Sequence, residues 1–472
     1  MKCDKRNFSA QAKRFFLALG LFLYTAAAWG SSDYYRHVVF DNSLTPNTYF
    51  NSWGMANGAS FLEVKDWRLP VETKTFLPPP NALRLQWQSQ TGGGWEAEVR
   101  LDNFRNRFPE LLGHNLYFWC FSPQPIAADD LPMLVLSNMR SGLQVAEFPA
   151  SFTEPLPLGK FAGDIPAGRW VQVRIPLQDF RTGSIYEFHP EHLVNVIFHQ
   201  GRADGVRHTL IIDEVRVDDD PPASEASSLP TPQNVRAVGY DRHVEVRWDG
   251  VTDPRLGRYV VYRSLDGKEF APVGIQLPGT TRFVDFLGKS GITAQYRVAA
   301  SDWNYRVSAL SAAASASTRE FSDDELLTML QEACFHYYWE GADPNSGMTR
   351  ENIPGDDRII ATGVASGLGI TTVIVGVDRG FITRAQGIER VTRIVGFLEH
   401  APRYHGAWSH YMNGDTGKTM PVFGMFDNGG DLVETSFLME GLLAARYRLA
   451  RFKVGDAGET IAITKPAEPK GE

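Results

Sequence analysis

The sequence predicts a multidomain chain: an all-β sandwich, a second and smaller β-sandwich, then an all-α section. Three observations predict it. Short apolar or alternating runs, separated by Pro and Gly clusters, recur from residue 31 to about 317 without any long 3.6-residue period. An acidic, Pro- and Ser-rich stretch, Asp218-Asp219-Asp220-Pro221-Pro222 through Ser228, splits those runs into two blocks and has linker composition. At Arg319 the period changes to that of helices, opened by Ser322-Asp323-Asp324-Glu325, a Ser with a Glu three residues on. A length of 472 residues suits two to four such domains.

Composition limits the function classes. The chain is 43% hydrophobic and 22% charged, ordinary for globular protein, which excludes wholesale disorder and a polytopic membrane protein. Its formal charge is −8, and no Lys/Arg-rich cluster follows residue 14, so nucleic acid is not expected as a partner. Residues 1–30 read as a signal peptide: Lys2, Lys5, Arg6, Lys13 and Arg14 precede an apolar stretch from Phe15 to Ala28, then Ala28-Trp29-Gly30. The expectation is an exported protein, periplasmic or extracellular, acidic and free of the membrane once the leader is removed. Cys120 and Cys334 fall in different sections, so two buried, reduced thiols are expected rather than a disulfide.

The first section, 31–217, carries strand-like runs at Glu96–Leu101, Leu116–Phe121, Trp170–Ile175, Val194–Phe198 and Leu210–Val215. From Trp170 to Ile212-Asp213-Glu214-Val215 it resembles jelly-roll carbohydrate-binding modules. A flat aromatic face stacks on the C–H face of a sugar, so Trp53, Trp67, Trp87 and Trp95 are candidate contacts, although filling the core is the commoner use of a Trp in a sandwich of this size. After the 218–229 linker, 230–318 runs through Val244–Trp248, Tyr259–Arg263 and Tyr296–Asp302. It resembles a fibronectin type III domain of seven short strands, with Trp248 between its sheets, and reads as a spacer.

In the third section, 319–452, Leu326, Leu330, Ala333 and Tyr337 share one face of the helix capped by Ser322. Turn residues follow at Asp343-Pro344-Asn345-Ser346-Gly347. A nearly all-apolar helix is expected over Thr362–Val377, one capped by Thr383 that stops before Pro402, and a fourth from Asp431 to about Arg451. Helix hairpins pairing an apolar helix with a more polar one suit an (α/α) toroid. The tail, 453–472, is polar and reads as disordered.

Chemistry concentrates in the glycine-rich loop 403–430. It holds Tyr404-His405-Gly406-Ala407-Trp408-Ser409-His410-Tyr411, and Asp427-Asn428-Gly429-Gly430 leads into Asp431-Leu432-Val433-Glu434. Glycoside hydrolysis uses two carboxyl groups, one to protonate the leaving oxygen and one to activate water or attack. Asp431 and Glu434 share a helix face, yet the same spacing is that of a capping box, and the residues alone leave both readings open. Two carboxyls three residues apart are also too close to flank the bond by themselves. His405 and His410 lack a third ligand at metal spacing, so no metal and no cofactor is expected. Nucleophile-elbow, Walker and dinucleotide fingerprints are absent from the sequence.

Residues 321–446 resemble the N-terminal part of the glucoamylase-like domain family, which includes bacterial endo-β-1,2-glucanases. The likeness rests on Phe335-His336-Tyr337-Tyr338-Trp339-Glu340, Arg350, Gly376-Val377-Asp378-Arg379-Gly380, the His410 loop and the run from Gly429 to Leu443. The resemblance implies a six-hairpin barrel cleaving β-linked glucan with inversion, catalytic Asp431 and Glu434, and substrate contacts from Trp339, Glu340, Arg350, His405, Trp408 and His410. It also implies twelve helices where four are counted, hence a truncated barrel segment with impaired hydrolysis and exposed apolar faces. The partner expected is a polysaccharide or oligosaccharide, with β-1,2-glucan favoured; the oligomeric state is not specified by the sequence. The alternative is a non-catalytic carbohydrate-binding protein whose helical part is an interaction element.

Overall fold

The structure is a computed structural model that describes residues 36–101, 111–138, 151–220, 228–351, 359–423 and 426–451. The expected leader (1–30), the polar tail (453–472) and the middle of the linker (221–227) lie outside the described residues. The chain forms two compact units: one holds both sandwiches and runs through Arg319, the other begins at Glu320. Among the described residues no helix is long and apolar enough to cross a membrane.

In the first unit, twelve strands build the larger sandwich. They are β1 (Val38–Phe40), β2 (Ser52–Asn57), β3 (Phe61–Leu62), β4 (Val71–Glu72), β5 (Ala82–Gln88), β6 (Gly94–Arg100), β7 (Asn115–Phe121), β8 (Met133–Ser137), β9 (Leu156–Pro157), β10 (Trp170–Pro176), β11 (Asn195–His199) and β12 (Arg207–Asp218). One sheet runs β10-β7-β12-β5-β3, with β1 on β12 and β4 on β5; the other runs β2-β6-β11-β8-β9. Alternation places Leu83, Leu85 and Trp87 of β5 opposite Trp95, Ala97 and Val99 of β6 in one shared core. Two of the four candidate tryptophans are therefore core: Trp87 and Trp95 are buried, and Trp95 Nε1 donates to Ser89 Oγ at 3.0 Å. Trp67 is the opposite case, 62% exposed and at φ +64, beside Asp66 at φ +53 in the tight turn between Lys65 and Arg68.

Seven strands form the smaller sandwich: β13 (Gln233–Gly239), β14 (His243–Asp249), β15 (Leu256–Ser264), β16 (Ala271–Gln276), β17 (Arg282–Phe286), β18 (Thr293–Asp302) and β19 (Ala314–Ser317). Sheets β13-β14-β17 and β16-β15-β18-β19 enclose Trp248, whose ring lies edge-on to Tyr259 at 5.2 Å. This is the fibronectin-type arrangement expected.

The two sandwiches meet at a buried junction. A bulge in β12 between Asp213 and Arg216 puts Glu214 at φ +54. From there its carboxylate accepts from Arg258 Nη1 and Nη2 of β15 at 2.6 and 2.7 Å, and from the Tyr305 hydroxyl at 2.9 Å. Both charged side chains are 2% exposed. Burial alone would raise the Glu214 pKa, but Arg258, then Arg216 and Tyr305, outweigh it and hold it below the usual range. Trp119 packs edge-on against Tyr305 at 5.4 Å, closing the junction.

The second unit carries α1 (Asp323–Glu340), α2 (Ser366–Asp378), α3 (Arg384–His400) and α4 (Leu432–Arg451), with a two-stranded ribbon of β20 (Ile359–Ala361) and β21 (Tyr411–Asn413). Capping boxes start α1 at Ser322 with Glu325 and α3 at Thr383 with Gln386. The second helix starts later than expected, at Ser366, because 362–365 form the turn that leads out of the ribbon. The apolar face read from the sequence is not the buried face of α1: Leu330 and Tyr337 are exposed, and Phe335 is the buried residue of that helix. Gly376 explains the choice, since a Cβ there would collide with the Phe335 ring. Cys334, on the outer side of α1, is exposed rather than buried; Cys120 is buried as expected, and burial pushes its thiol pKa up. Leu368 and Val375 of α2 and Leu432, Val433 and Leu443 of α4 are exposed apolar side chains.

Candidate functional site

Helices α2 and α4 cross at very short range because three positions lack side chains. A Cβ at Gly363 would strike the Glu434 backbone, one at Gly367 the Phe437 carbonyl, and one at Gly441 the Gly367 carbonyl. This seam sets the N-terminal end of α4 beside the turn that precedes α2 and beside the loop that enters β21.

At that end Asp431 is the helix cap. Its Oδ1 accepts from the backbone N–H groups of Val433 at 2.9 Å and Glu434 at 3.0 Å, while its own N–H donates to the Trp408 carbonyl at 2.8 Å. Its Oδ2 accepts from His410 Nδ1 at 3.0 Å. Partial burial works to raise the Asp431 pKa, but the Glu434 N–H, His410 and the Val433 N–H together hold it below the ordinary carboxylate value.

The second half of a capping box is missing. Glu434 does not reach back to the cap; it is 5% exposed, and its Oε2 accepts from the N–H groups of Gly363 at 2.7 Å and Val364 at 3.1 Å. The spacing therefore serves two duties: Asp431 ends the helix and holds His410, and Glu434 ties α4 to the turn before α2. Neighbouring bonds fix the rest of the edge. Thr435 Oγ1 accepts from the Trp408 N–H at 3.0 Å, Thr362 Oγ1 donates to the Ser409 carbonyl at 2.5 Å, and the Thr362 N–H donates to the His410 carbonyl at 3.0 Å.

His410 lies against two aromatic rings, Tyr411 at 4.3 Å and Phe423 edge-on at 5.1 Å. The Tyr411 hydroxyl donates to Glu351 Oε1 at 2.7 Å, which brings a third carboxylate to this edge. Glu351, Phe423 and Gly363 were not singled out from the sequence, and Tyr411 was noted only as part of the loop. Glu351 precedes Tyr411 by 60 residues, and no local signal joins them.

The other sequence candidates divide. Arg350, 9% exposed, belongs to the strand pairing beside Ile360 and so to the ribbon at this edge. Trp408 is 7% exposed and packed into the helical core, with the Arg403 guanidinium 5.4 Å from its ring; its buried Nε1 has no acceptor among the described residues. His405 is exposed at φ +49 on the tip of the Tyr404–Ala407 turn. Trp339 and Glu340 make their contacts elsewhere. Trp339 stacks on Phe335 and lies under the Arg390 guanidinium at 4.1 Å, and Glu340 pairs with His336 at 3.0 Å. Asp343, whose Oδ1 accepts from the N–H groups of Asn345 and Ser346, shapes the expected turn, and Asn345 Nδ2 donates from it to the Gly414 carbonyl. Among the described residues no group of three or more His, Cys, Asp or Glu is placed to hold a metal ion.

Comparison with known proteins fits this geometry into a family context. No family model matches the chain. The exo β-1,2-glucooligosaccharide sophorohydrolase (non-reducing end) of Parabacteroides distasonis is 39% identical over 418 residues, 87% of this chain and 56% of that protein. The crystal structure of a β-1,2-glucanase from Parabacteroides distasonis superposes with a TM-score of 0.73 at 37% identity, over 87% of this chain and 57% of that one. An endo-β-1,2-glucanase from Chitinophaga pinensis, solved in complex with sophorotriose and glucose, is 46% identical over 28% of this chain and 33% of its own, with a TM-score of 0.27. The chain is thus a homologue of the Parabacteroides protein through both sandwiches and the helical section. It spans a little over half the length of the relatives it matches most extensively.

Proposed function

We propose that this protein is a glycoside hydrolase acting on β-1,2-linked glucooligosaccharides, with the sugar lying along the edge that carries His410, Asp431 and Glu434. The observation that carries this reading is the 39% identity over 87% of the chain to a relative named for such oligosaccharides. The site chemistry supports it. Carboxylates and an imidazole suit a neutral, hydroxyl-rich ligand, since each hydroxyl both donates and accepts.

We place Asp431 and Glu434 in the substrate cleft, with Arg350 and Trp408 beside them. Their shared helix end means that the group facing them across a glycosidic bond comes from another part of the structure. Hydrolysis with inversion and an exported location, periplasmic or extracellular, belong to the same proposal; the second rests on the composition of residues 1–30.

A second reading, sugar binding without cleavage, is favoured by one observation: Trp67 presents an indole to solvent on the larger sandwich. Both readings are tested together by incubating the chain with β-1,2-glucooligosaccharides of defined length. Products are separated by chromatography, and binding is followed by calorimetry. Cleavage that is lost in Glu434→Gln supports the first reading. Binding without products, weakened in Trp67→Ala, supports the second. Neither binding nor products refutes both.

A further inference from the structure

We propose that Asp431 acts on the sugar only through His410: it holds the imidazole in its Nδ1–H form, so that Nε2 is a fixed acceptor for a pyranose hydroxyl. The inference rests on the glucooligosaccharide reading above and assigns a division of labour within that site.

The argument begins with the oxygens of Asp431. Oδ1 is committed to two backbone N–H donors and Oδ2 to His410 Nδ1. A carboxylate has no hydrogen to give, so the hydrogen in the bond to His410 belongs to Nδ1. In a neutral imidazole the lone pair is then on Nε2. For Asp431 to give a proton to a leaving oxygen it would have to abandon either the helix cap or the histidine. It is a positioning residue.

The ring is held as firmly as its tautomer. The His410 carbonyl accepts from the Thr362 N–H, Tyr411 and Phe423 bracket the imidazole, and no bond to Nε2 is formed among the described residues. The charged groups around it are Asp431 at the cap, Glu351 on the Tyr411 hydroxyl, Asp427, whose Oδ2 accepts from the Phe423 N–H at 3.2 Å, and Glu434 across the seam. Arg350 adds a cation from the ribbon pairing beside Ile360. An acceptor nitrogen set among these carboxylates selects hydroxyl donors.

The test uses the full chain with ¹⁵N-labelled histidine. Long-range ¹H–¹⁵N correlation at pH 8 is expected to show His410 protonated at Nδ1, with the resonance assigned by its loss in His410→Gln. In Asp431→Asn the amide oxygen keeps the cap, for which Asn is as good as Asp, and the amide nitrogen turns a donor toward Nδ1. The tautomer then shifts to Nε2–H, helix content is unchanged, and binding of a β-1,2-linked glucopentaose falls at least tenfold. Two results overturn the inference alone: a wild-type ring protonated at Nε2 while the pentaose still binds, or Asp431→Asn binding as tightly as wild type. Absence of pentaose binding by the wild-type chain overturns the glucan reading and this inference with it.

Discussion

Replacing Arg258 by Ala removes one partner of a fully buried ion pair and leaves Glu214 charged inside the junction of the two sandwiches. Breaking such a pair costs about 3–5 kcal/mol, because the surviving ion has lost its solvent and its counter-charge together. Two features place this case in the lower half of that range. The Tyr305 hydroxyl still donates to Glu214, and Arg216 still contributes favourable charge. A loss of about 3–4 kcal/mol corresponds to a shift of two to three decades in the equilibrium between joined and opened junction. The assay is urea unfolding of the full chain followed by tryptophan fluorescence, compared with a variant chain that keeps only Trp119 and Trp303 of its tryptophans, the second lying 5.2 Å from the Arg258 guanidinium. The double variant Glu214→Leu with Arg258→Met should recover most of the loss, since an apolar pair of similar volume replaces a buried ion pair at little or no cost. An Arg258→Ala chain that unfolds within 0.5 kcal/mol of wild type, on the order of the effect of a plain surface change, would refute a closed, water-free junction.

Further expectations follow from the same physics. Gly367→Ala forces α2 and α4 apart and should destabilise the helical unit by about 1–3 kcal/mol, seen as earlier loss of helical circular dichroism on heating; an unchanged melt would show that the seam yields freely. Trp67→Gly relieves a left-handed backbone at a side chain that is mostly solvent-exposed, so thermal stability should rise by about 1 kcal/mol; a fall would mean that the indole has a packing partner. The lowered Asp431 pKa gives stability that is present above the unfolded carboxylate value of about 3.9 and lost as pH falls through the lower folded value. In Asp431→Ala the stability of the helical unit should therefore depend less on pH below about 4, measured by acid titration of its helical signal.

What the sequence made legible is what depends on neighbours in the chain. Strand alternation located Leu116–Phe121 and Trp170–Ile175, and Ser322 and Thr383 announced their helices because a cap is a three-residue motif. The same locality misled at Leu326, Leu330, Ala333 and Tyr337: their spacing makes a face, but which face is buried was decided by Gly376 on another helix. Trp67 and Trp87 look alike as letters, and only pairing shows that one ends a turn and the other fills the core. At the site, Asp431 and Glu434 were found as a pair, while the fate of the Glu434 carboxylate lay 71 residues upstream at Gly363. Arg258 and Glu214, 44 residues apart, belong to different sandwiches, and no periodicity links them.

The junction at Glu214 also bears on how the molecule is to be dissected. The natural place to cut is the acidic, proline-rich stretch after Asp218, where composition marks a boundary. A fragment ending there keeps the bulge, the carboxylate, Arg216 and Trp119 but loses the Arg258 guanidinium and the Tyr305 phenol that bind the carboxylate. It would be produced with Glu214 and the Trp119 ring opened to solvent. Expression of the larger sandwich should consequently reward a cut after Arg319, which keeps the two β domains together.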